Sequence, residues 1–229
     1  MALSVAMQEY LAETYRLAYY QNDKSYVSTS ALADVMGVSA PAVTRMVQRL
    51  KETGYLNHEP YQGISLTDIG EHEALMNIRK HRLVERFLVD VMGFGWHEVH
   101  ESADELGAVV SDIVVGRMDV MAGYPKRCPH GEPIPNAEGI MPRVIDHPLN
   151  TAEVGMEFLA SRVNSHDEHM LKYLDELGLK TGVKLALLGR APFNGPLQVT
   201  IGDATHHLGH ELAGIIRVCS ENEFELKYE

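Results

Sequence analysis

Cysteine is scarce. Cys128 and Cys219 are the only two in 229 residues, which rules out a disulfide framework and suits a reducing cytoplasm. No run of 18 or more apolar residues occurs, so no membrane span is expected. The opening MALSVAMQEY has no basic stretch followed by an apolar one, so no signal peptide is expected either. Basic residues are in deficit, 20 Lys and Arg against 32 Asp and Glu, for a formal charge of −12. That balance argues against a general nucleic-acid coat protein, which needs a broad basic surface, but leaves room for a local DNA-binding face. A Ser-His-Asp pattern, an HExxH motif and a glycine-rich phosphate loop are all missing, as are internal repeats and low-complexity segments. What the chain does have is a 45% apolar fraction, enough for real cores in one large domain or two to three small ones, and 12 histidines. So many imidazoles raise the question of metal binding or pH sensing.

The stretch from Arg79 to Val120 organises the rest. Ile78, Leu83, Phe87 and Leu88 recur at roughly helical spacing and mark a buried stripe. His81 and Glu85 sit four apart and so leave one face of that helix. Gly93 and Gly95 break it, and a second helix follows with His100 and Asp104 again four apart. Two helices that each offer a ligand pair on one face can close a metal site between them. Imidazole with carboxylate suits Mn, Fe(II), Co, Ni or Zn. Solvated charges beside a core-edge histidine are the plainer alternative.

Upstream, residues 4–20 read as an amphipathic helix, with Met7, Tyr10, Leu11, Thr14, Leu17 and Ala18 on one stripe and Glu9 beside it. Residues 27–36 predict a hydroxyl-capped short helix ended by Gly37. Ser39 then caps a helix with Pro41 in its first turn. Val43, Met46, Val47 and Leu50 face inward; Thr44, Arg45, Gln48 and Arg49 face out. This is a helix-turn-helix pattern. Two strands follow, 55–59 and 64–66, around Tyr61-Gln62-Gly63, and Thr67 caps the next helix, which makes the unit a winged helix. The wing carries Glu59 and no Lys or Arg, so its phosphate contacts should be weak.

Residues 122–150 hold six of the ten prolines and read as a linker or ordered loop. Beyond them, Ser165-His166-Asp167-Glu168 reads as a capping box opening a helix that ends at Gly178. Short apolar strands at 183–188, 198–201 and 215–218 suggest a small β-barrel, with His206, His207 and His210 in its last loop.

The order winged helix, HRLVERFLVDVMG…VHESADEL, CPHGEPIP and YLDELGL…APFNGPLQV resembles the three-domain form of the diphtheria-toxin-repressor family of metal-dependent transcription regulators over essentially the whole chain. The resemblance implies a mainly α protein with small β parts: a winged helix-turn-helix at 1–72, a helical dimerisation and metal-binding domain at 73–141, a linker at 142–150 and an SH3-like (FeoA-like) β-barrel at 151–229. It implies a cytoplasmic homodimer, bound to double-stranded palindromic operator DNA when metal-loaded and controlling metal-uptake genes, with no membrane or small organic substrate as partner.

Carried over by position, the family's ancillary metal site falls on His81, Glu85 and His100. Its primary site falls on Glu9 and Asp104, with Gly107 and Ala108 where the family has a Glu-His pair, so that site lacks two ligands. The third-domain Glu-x-x-Gln of some members matches Arg162-Val163-Asn164-Ser165. Arg82 keeps the arginine of an anion pocket beside the metal, while Glu132 replaces its Asn; Glu132 is therefore expected to coordinate the metal or to pair with Arg82. Glu101 and Glu105 are further candidates for weak cation binding. On DNA, the matching positions are Ser39, Pro41, Ala42, Thr44 and Arg45, with Gln48 and Arg49 on the same side. Ser39 and Thr44 suit phosphate, Arg45 a guanine edge or phosphate, and Pro41 and Ala42 thymine methyls.

Glu9 and Asp104 occupy slots where iron-responsive members carry Met and Cys. Hard oxygen donors there favour Mn(II), with Fe(II) next and Zn, Co or Cd acceptable in vitro. Two rival readings stand beside this one: a metal-independent winged-helix DNA-binding protein with a relic site, and a hydrolase in which a metal activates water.

Overall fold

The computed structural model describes residues 3–20 and 26–228. These divide into two compact units, one of residues 1–80 with 135–140, the other of residues 81–134 with 141–229.

The first unit is a winged helix. Helices α1 (Val5–Tyr20), α2 (Thr29–Met36) and α3 (Ala40–Glu52) precede a hairpin of β1 (Leu56–Glu59) and β2 (Gly63–Leu66). Met7, Tyr10, Leu11, Leu32, Val43, Val47, Leu50, Leu56 and Ile64 form one buried core, on the inward stripes that periodicity marked. Ser28 caps α2 by accepting from the Ala31 N–H, and Gly37 ends it in the left-handed conformation. Ser39 occupies the N-cap position of α3, but its side chain makes no capping bond there. The expected cap is thus positional only, and Pro41 in the first turn removes one of the N–H groups a cap would serve. Val27 adds a bridge to the hairpin through paired bonds with Ile64, each 2.8 Å. Gly63 makes that approach possible: a Cβ there would lie 2.6 Å from the Val27 carbonyl oxygen. Thr67 accepts from the Gly70 N–H at 3.1 Å at the start of α4 (Asp68–Asp90).

The second unit begins within α4, a continuous 23-residue helix. Helices α5 (Val99–Val109) and α6 (Asp112–Met121) follow. Val84 and Leu88 of α4, Val99 and Ala103 of α5 and Met118 of α6 share one core, which fixes the spacing of the helices that carry the histidines. The proline-rich segment is ordered: Ile134 is buried with Leu83 and Val115, and part of the expected linker is β3 (His147–Pro148), followed by a turn of 3-10 helix.

The remaining elements are β4 (Glu157–Val163), α7 (Glu168–Glu176), β5 (Lys184–Arg190), β6 (Leu197–Ile201), β7 (Ala204–Leu208), α8 (His210–Ile215), β8 (Ile216–Cys219) and α9 (Glu221–Phe224). The strands form one antiparallel sheet in the order β3-β8-β4-β5-β6-β7, bent by register shifts at Ala160/Arg162 and Leu187/Gly189. Its strands and α7 enclose a core that includes Leu171, Leu174, Leu185, Leu187, Val199 and Trp96.

Two expectations need correcting here, and one strand was not expected. The cap of α7 is Asp167, which accepts from the Met170 N–H at 2.8 Å, not Ser165. His206 and His207 lie on strand β7, not in a loop, because the Gly202-Asp203 turn lets the chain fold back on β6; His210 opens α8. Residues 157–163, which periodicity did not mark, form the central strand β4, because a strand buried on both faces shows no alternation.

Candidate metal centre

α4 presents His81 and Glu85 on one face, and α5 presents His100 and Asp104. The four side chains form a closed ring. Glu85 Oε1 lies 3.3 Å from both His81 Nε2 and His100 Nδ1. Asp104 answers from the other side, 3.0 Å from His81 Nδ1 and 3.6 Å from His100 Nε2. Each imidazole therefore sits between two carboxylates. Glu85 is 2% exposed and Asp104 60%, so the ring runs from the core to the surface.

The CPHGEPIP segment adds a second group. Cys128 and His130 both meet Glu85: His130 Nδ1 lies 3.5 Å from its Oε1 and 3.9 Å from Cys128 Sγ. The other ring nitrogen of His130 is 2.7 Å from the Trp96 carbonyl, which sets the ring's orientation. The donor atoms of His81, His100 and Asp104 converge as one set and those of Glu85, Cys128 and His130 as another. Glu85 touches histidines of both. His166, between β4 and α7, stacks on His100 with ring centres 4.1 Å apart and meets His130 edge-on at 5.9 Å.

The electrostatics fit a divalent ion. Burial works to raise the Glu85 carboxyl, but His81, His100 and His130 hold it well below the usual range. The same histidine pair outweighs burial at Asp104 and lowers it. Burial opposes charge on His130, yet the Cys128 and Glu85 contacts push its pKa up to about 11. Burial and the Glu85 charge push the Cys128 thiol up. Two carboxylates kept ionised among imidazoles are what a cation of intermediate hardness requires.

The other candidates are placed as follows. Glu132 is held between Arg82 (3.1 Å) and Arg162 (3.2 Å). Glu101 and Glu105 are exposed on α5 and belong to neither donor set. Glu9 is exposed on α1, and Gly107 and Ala108 lie near the end of α5 without donors to offer. On α3, Pro41, Thr44, Arg45, Gln48 and Arg49 are all exposed, while Ala42 is half-buried. Thr44 Oγ1 donates to the Ala40 carbonyl at 2.9 Å and Gln48 to Glu52 at 2.8 Å. Sequence reasoning missed Cys128, His130 and His166. The signal for the first two was a Cys-x-His pair, two side chains of ligand type at period two in an extended loop; His166 carried none beyond its residue type.

A helix-turn-helix with a wing, joined by one long helix to a His/carboxylate centre, defines a metal-binding, DNA-binding regulator. Comparison with known proteins agrees. The N-terminal DNA-binding domain of the iron-dependent repressors matches residues 2–64, their metal-binding and dimerisation domain matches 67–136, and a FeoA domain matches 147–219. An uncharacterised HTH-type transcriptional regulator of Methanocaldococcus jannaschii is 31% identical over 118 residues, 52% of this chain and 93% of that protein. The diphtheria toxin repressor of Corynebacterium glutamicum is 27% identical over 216 residues, 89% of this chain and 92% of that protein. A solved manganese-dependent transcriptional repressor in complex with manganese is 36% identical, with a TM-score of 0.84, covering 93% of this chain and 99% of that one. The chain belongs to the iron-dependent repressor family of metal-dependent transcription regulators.

Proposed function

We propose that this protein is a homodimeric transcription regulator, activated by Mn(II) or next by Fe(II), that binds a palindromic operator and controls metal-uptake genes. The observation that carries the proposal is the ring His81–Glu85–His100–Asp104, built on two helices, one of which runs on from the winged helix. Hard carboxylates in the ring favour Mn(II), and the manganese-bound repressor is 36% identical to this chain. Cys128 is a soft donor near it, and in the buried set with His130 it accommodates Fe(II), Zn, Co or Cd.

His81, Glu85, His100 and Asp104 would hold one ion, and Glu85, Cys128 and His130 the donors of a second. A bound ion supplies positive charge that links α4 to α5. The protein does the rest: α4 carries the winged helix on its first turns and His81 and Glu85 further along, so ordering those side chains biases the set of conformations in which the reading helix is presented. Such coupling is typically worth about 1–3 kcal/mol. Val109, Ile113, Val120 and Met121 are exposed apolar residues of α5 and α6, a surface suited to a second copy of the chain. Arg45 and Arg49 on α3 supply the cations for DNA, and a turnover reaction is not part of this function. No described helix is long and apolar enough to cross a membrane, and the regulator is proposed to act in the cytoplasm.

Operator affinity measured by fluorescence anisotropy in EDTA and in excess Mn(II) tests the reading. Metal should tighten binding about 5- to 150-fold. Equal affinity in both conditions refutes it in favour of a metal-independent DNA-binding protein.

A further inference from the structure

The CPHGEPIP segment lies directly on strand β4 of the C-terminal domain. The Val163 N–H donates to the His130 carbonyl at 2.9 Å. Gly131 has φ +93, and a Cβ there would lie 2.1 Å from the Ser161 carbonyl oxygen. Backbone therefore meets backbone, and no side chain fits between them. One residue further on, Glu132 sits between two guanidinium groups. Arg82 Nη2 donates to it at 3.1 Å, and Arg162 Nη1 at 3.2 Å. Arg82 follows His81 on α4 and also donates to the Pro133 carbonyl. Arg162 is 5% exposed and is gripped from its far side by Asp146, at 2.7 Å and 3.0 Å. Asp146 in turn accepts from Arg217 of β8 at 2.9 Å.

We propose that the C-terminal domain sets the geometry of the buried metal-binding group through this charged strut, with Glu132 and Arg162 as positioning residues for Cys128 and His130. The proposal rests on the metal-regulator reading above. His130 and Glu132 are two residues apart on one short loop, so the carboxylate that anchors the loop also limits how far the His130 ring and the Cys128 thiol can move from Glu85. The alternating charges Arg82, Glu132, Arg162, Asp146 and Arg217 tie α4, the loop, β4 and β8 together. Loss of a middle member takes one opposite charge from each of its neighbours, so the strut acts as a unit. His81, His100 and Asp104 stand on α4 and α5, outside the loop, and Glu85 joins His81 and His100 to His130. The strut therefore acts first on the thiol-bearing group, and the C-terminal domain tunes the centre without itself donating a ligand through Arg162.

The test uses the full chain, Co(II) as probe, and the variants Glu132→Gln, Arg162→Met and their combination. Chelator competition gives affinity, the thiolate-to-Co(II) absorption reports Cys128, and hydrogen exchange in EDTA reports the metal-free loop. Each single variant should lower Co(II) affinity about 10- to 100-fold and weaken the thiolate band. Each should also speed exchange in residues 128–134 and in β4 of the metal-free protein. The double variant should be no worse than the more damaging single one, because both break the same strut. Arg162→Met risks the fold of the domain, since it leaves the buried Asp146 carboxylate to the Arg217 guanidinium and Ser161; Glu132→Gln keeps the shape of the side chain and carries the test alone if needed. A folded Glu132→Gln protein with unchanged affinity, band and exchange overturns the proposal. So does an additive double variant. So does a Glu132→Gln protein that loses affinity while its metal-free exchange is unchanged, which would make Glu132 a ligand. If the wild type binds no Co(II), the metal-regulator reading fails, and the exchange rates in EDTA still decide whether the strut holds the loop.

Discussion

Replacing Asp146 with Asn should destabilise the second unit by about 3 kcal/mol. The side chain is 1% exposed and accepts four bonds: Arg162 Nε at 2.7 Å, Arg162 Nη2 at 3.0 Å, Arg217 Nε at 2.9 Å and Ser161 Oγ at 2.9 Å. The amide keeps the volume but removes the charge that balances two guanidinium groups and turns one acceptor into a donor facing donors. Breaking a buried ion pair from one side costs about 3–5 kcal/mol, and Glu132 on the other flank of Arg162 keeps the loss near the lower end. Burial works to raise the Asp146 carboxyl, but Arg162, Arg217 and Ser161 hold it below the usual range. A depressed folded pKa contributes stability that is fully present above the unfolded value of about 3.9 and is lost as pH falls through the folded one. The difference between wild type and Asp146→Asn should thus be constant from pH 7 to about 5 and shrink below about 4. Urea unfolding followed by Trp96 fluorescence measures it, since Trp96 is the single tryptophan and lies in the core of this unit. A cost below about 1 kcal/mol at pH 7, or a difference that is the same at pH 3 as at pH 7, refutes the reasoning.

Other substitutions probe the remaining parts. Gly131→Ala should cost about 1–3 kcal/mol from its φ of +93 alone, and more as the new Cβ forces the loop off Ser161; a shift in thermal midpoint of less than a degree would show the loop is not seated on β4. Arg45→Ala should lower discrimination for the operator by about 1–3 kcal/mol, whereas equal losses on specific and random DNA would confine Arg45 to phosphate. Ile113→Lys places a charge at a residue 81% exposed in one chain and should convert a dimer to monomers in analytical ultracentrifugation at micromolar concentration; an unchanged dimer mass would move the interface elsewhere.

Much of the architecture is local and so was legible in residue order. A 3.6-residue period needs only neighbouring side chains to declare itself, which is why the stripes of α1, α3 and α4 and the i,i+4 pairs His81/Glu85 and His100/Asp104 could be read directly. Turn chemistry likewise marked the wing and the end of α2 at Gly37. Capping at α7 was less secure because Ser165 and Asp167 both offer an oxygen to a helix start, and only the backbone path chose Asp167.

What the tertiary structure decided are contacts between residues far apart in the chain. Cys128 and His130 join Glu85 across more than forty residues, Arg162 joins Glu132 across thirty, and His166 meets His100 from a different domain. No periodicity records such pairings, because a buried polar side chain finds its partner through the way the elements pack, not through spacing along the chain. The types of residue that could bind a metal were written in the sequence. Which of them meet Glu85, and which instead pair with Arg162, follows from the packing of β4 against Gly131.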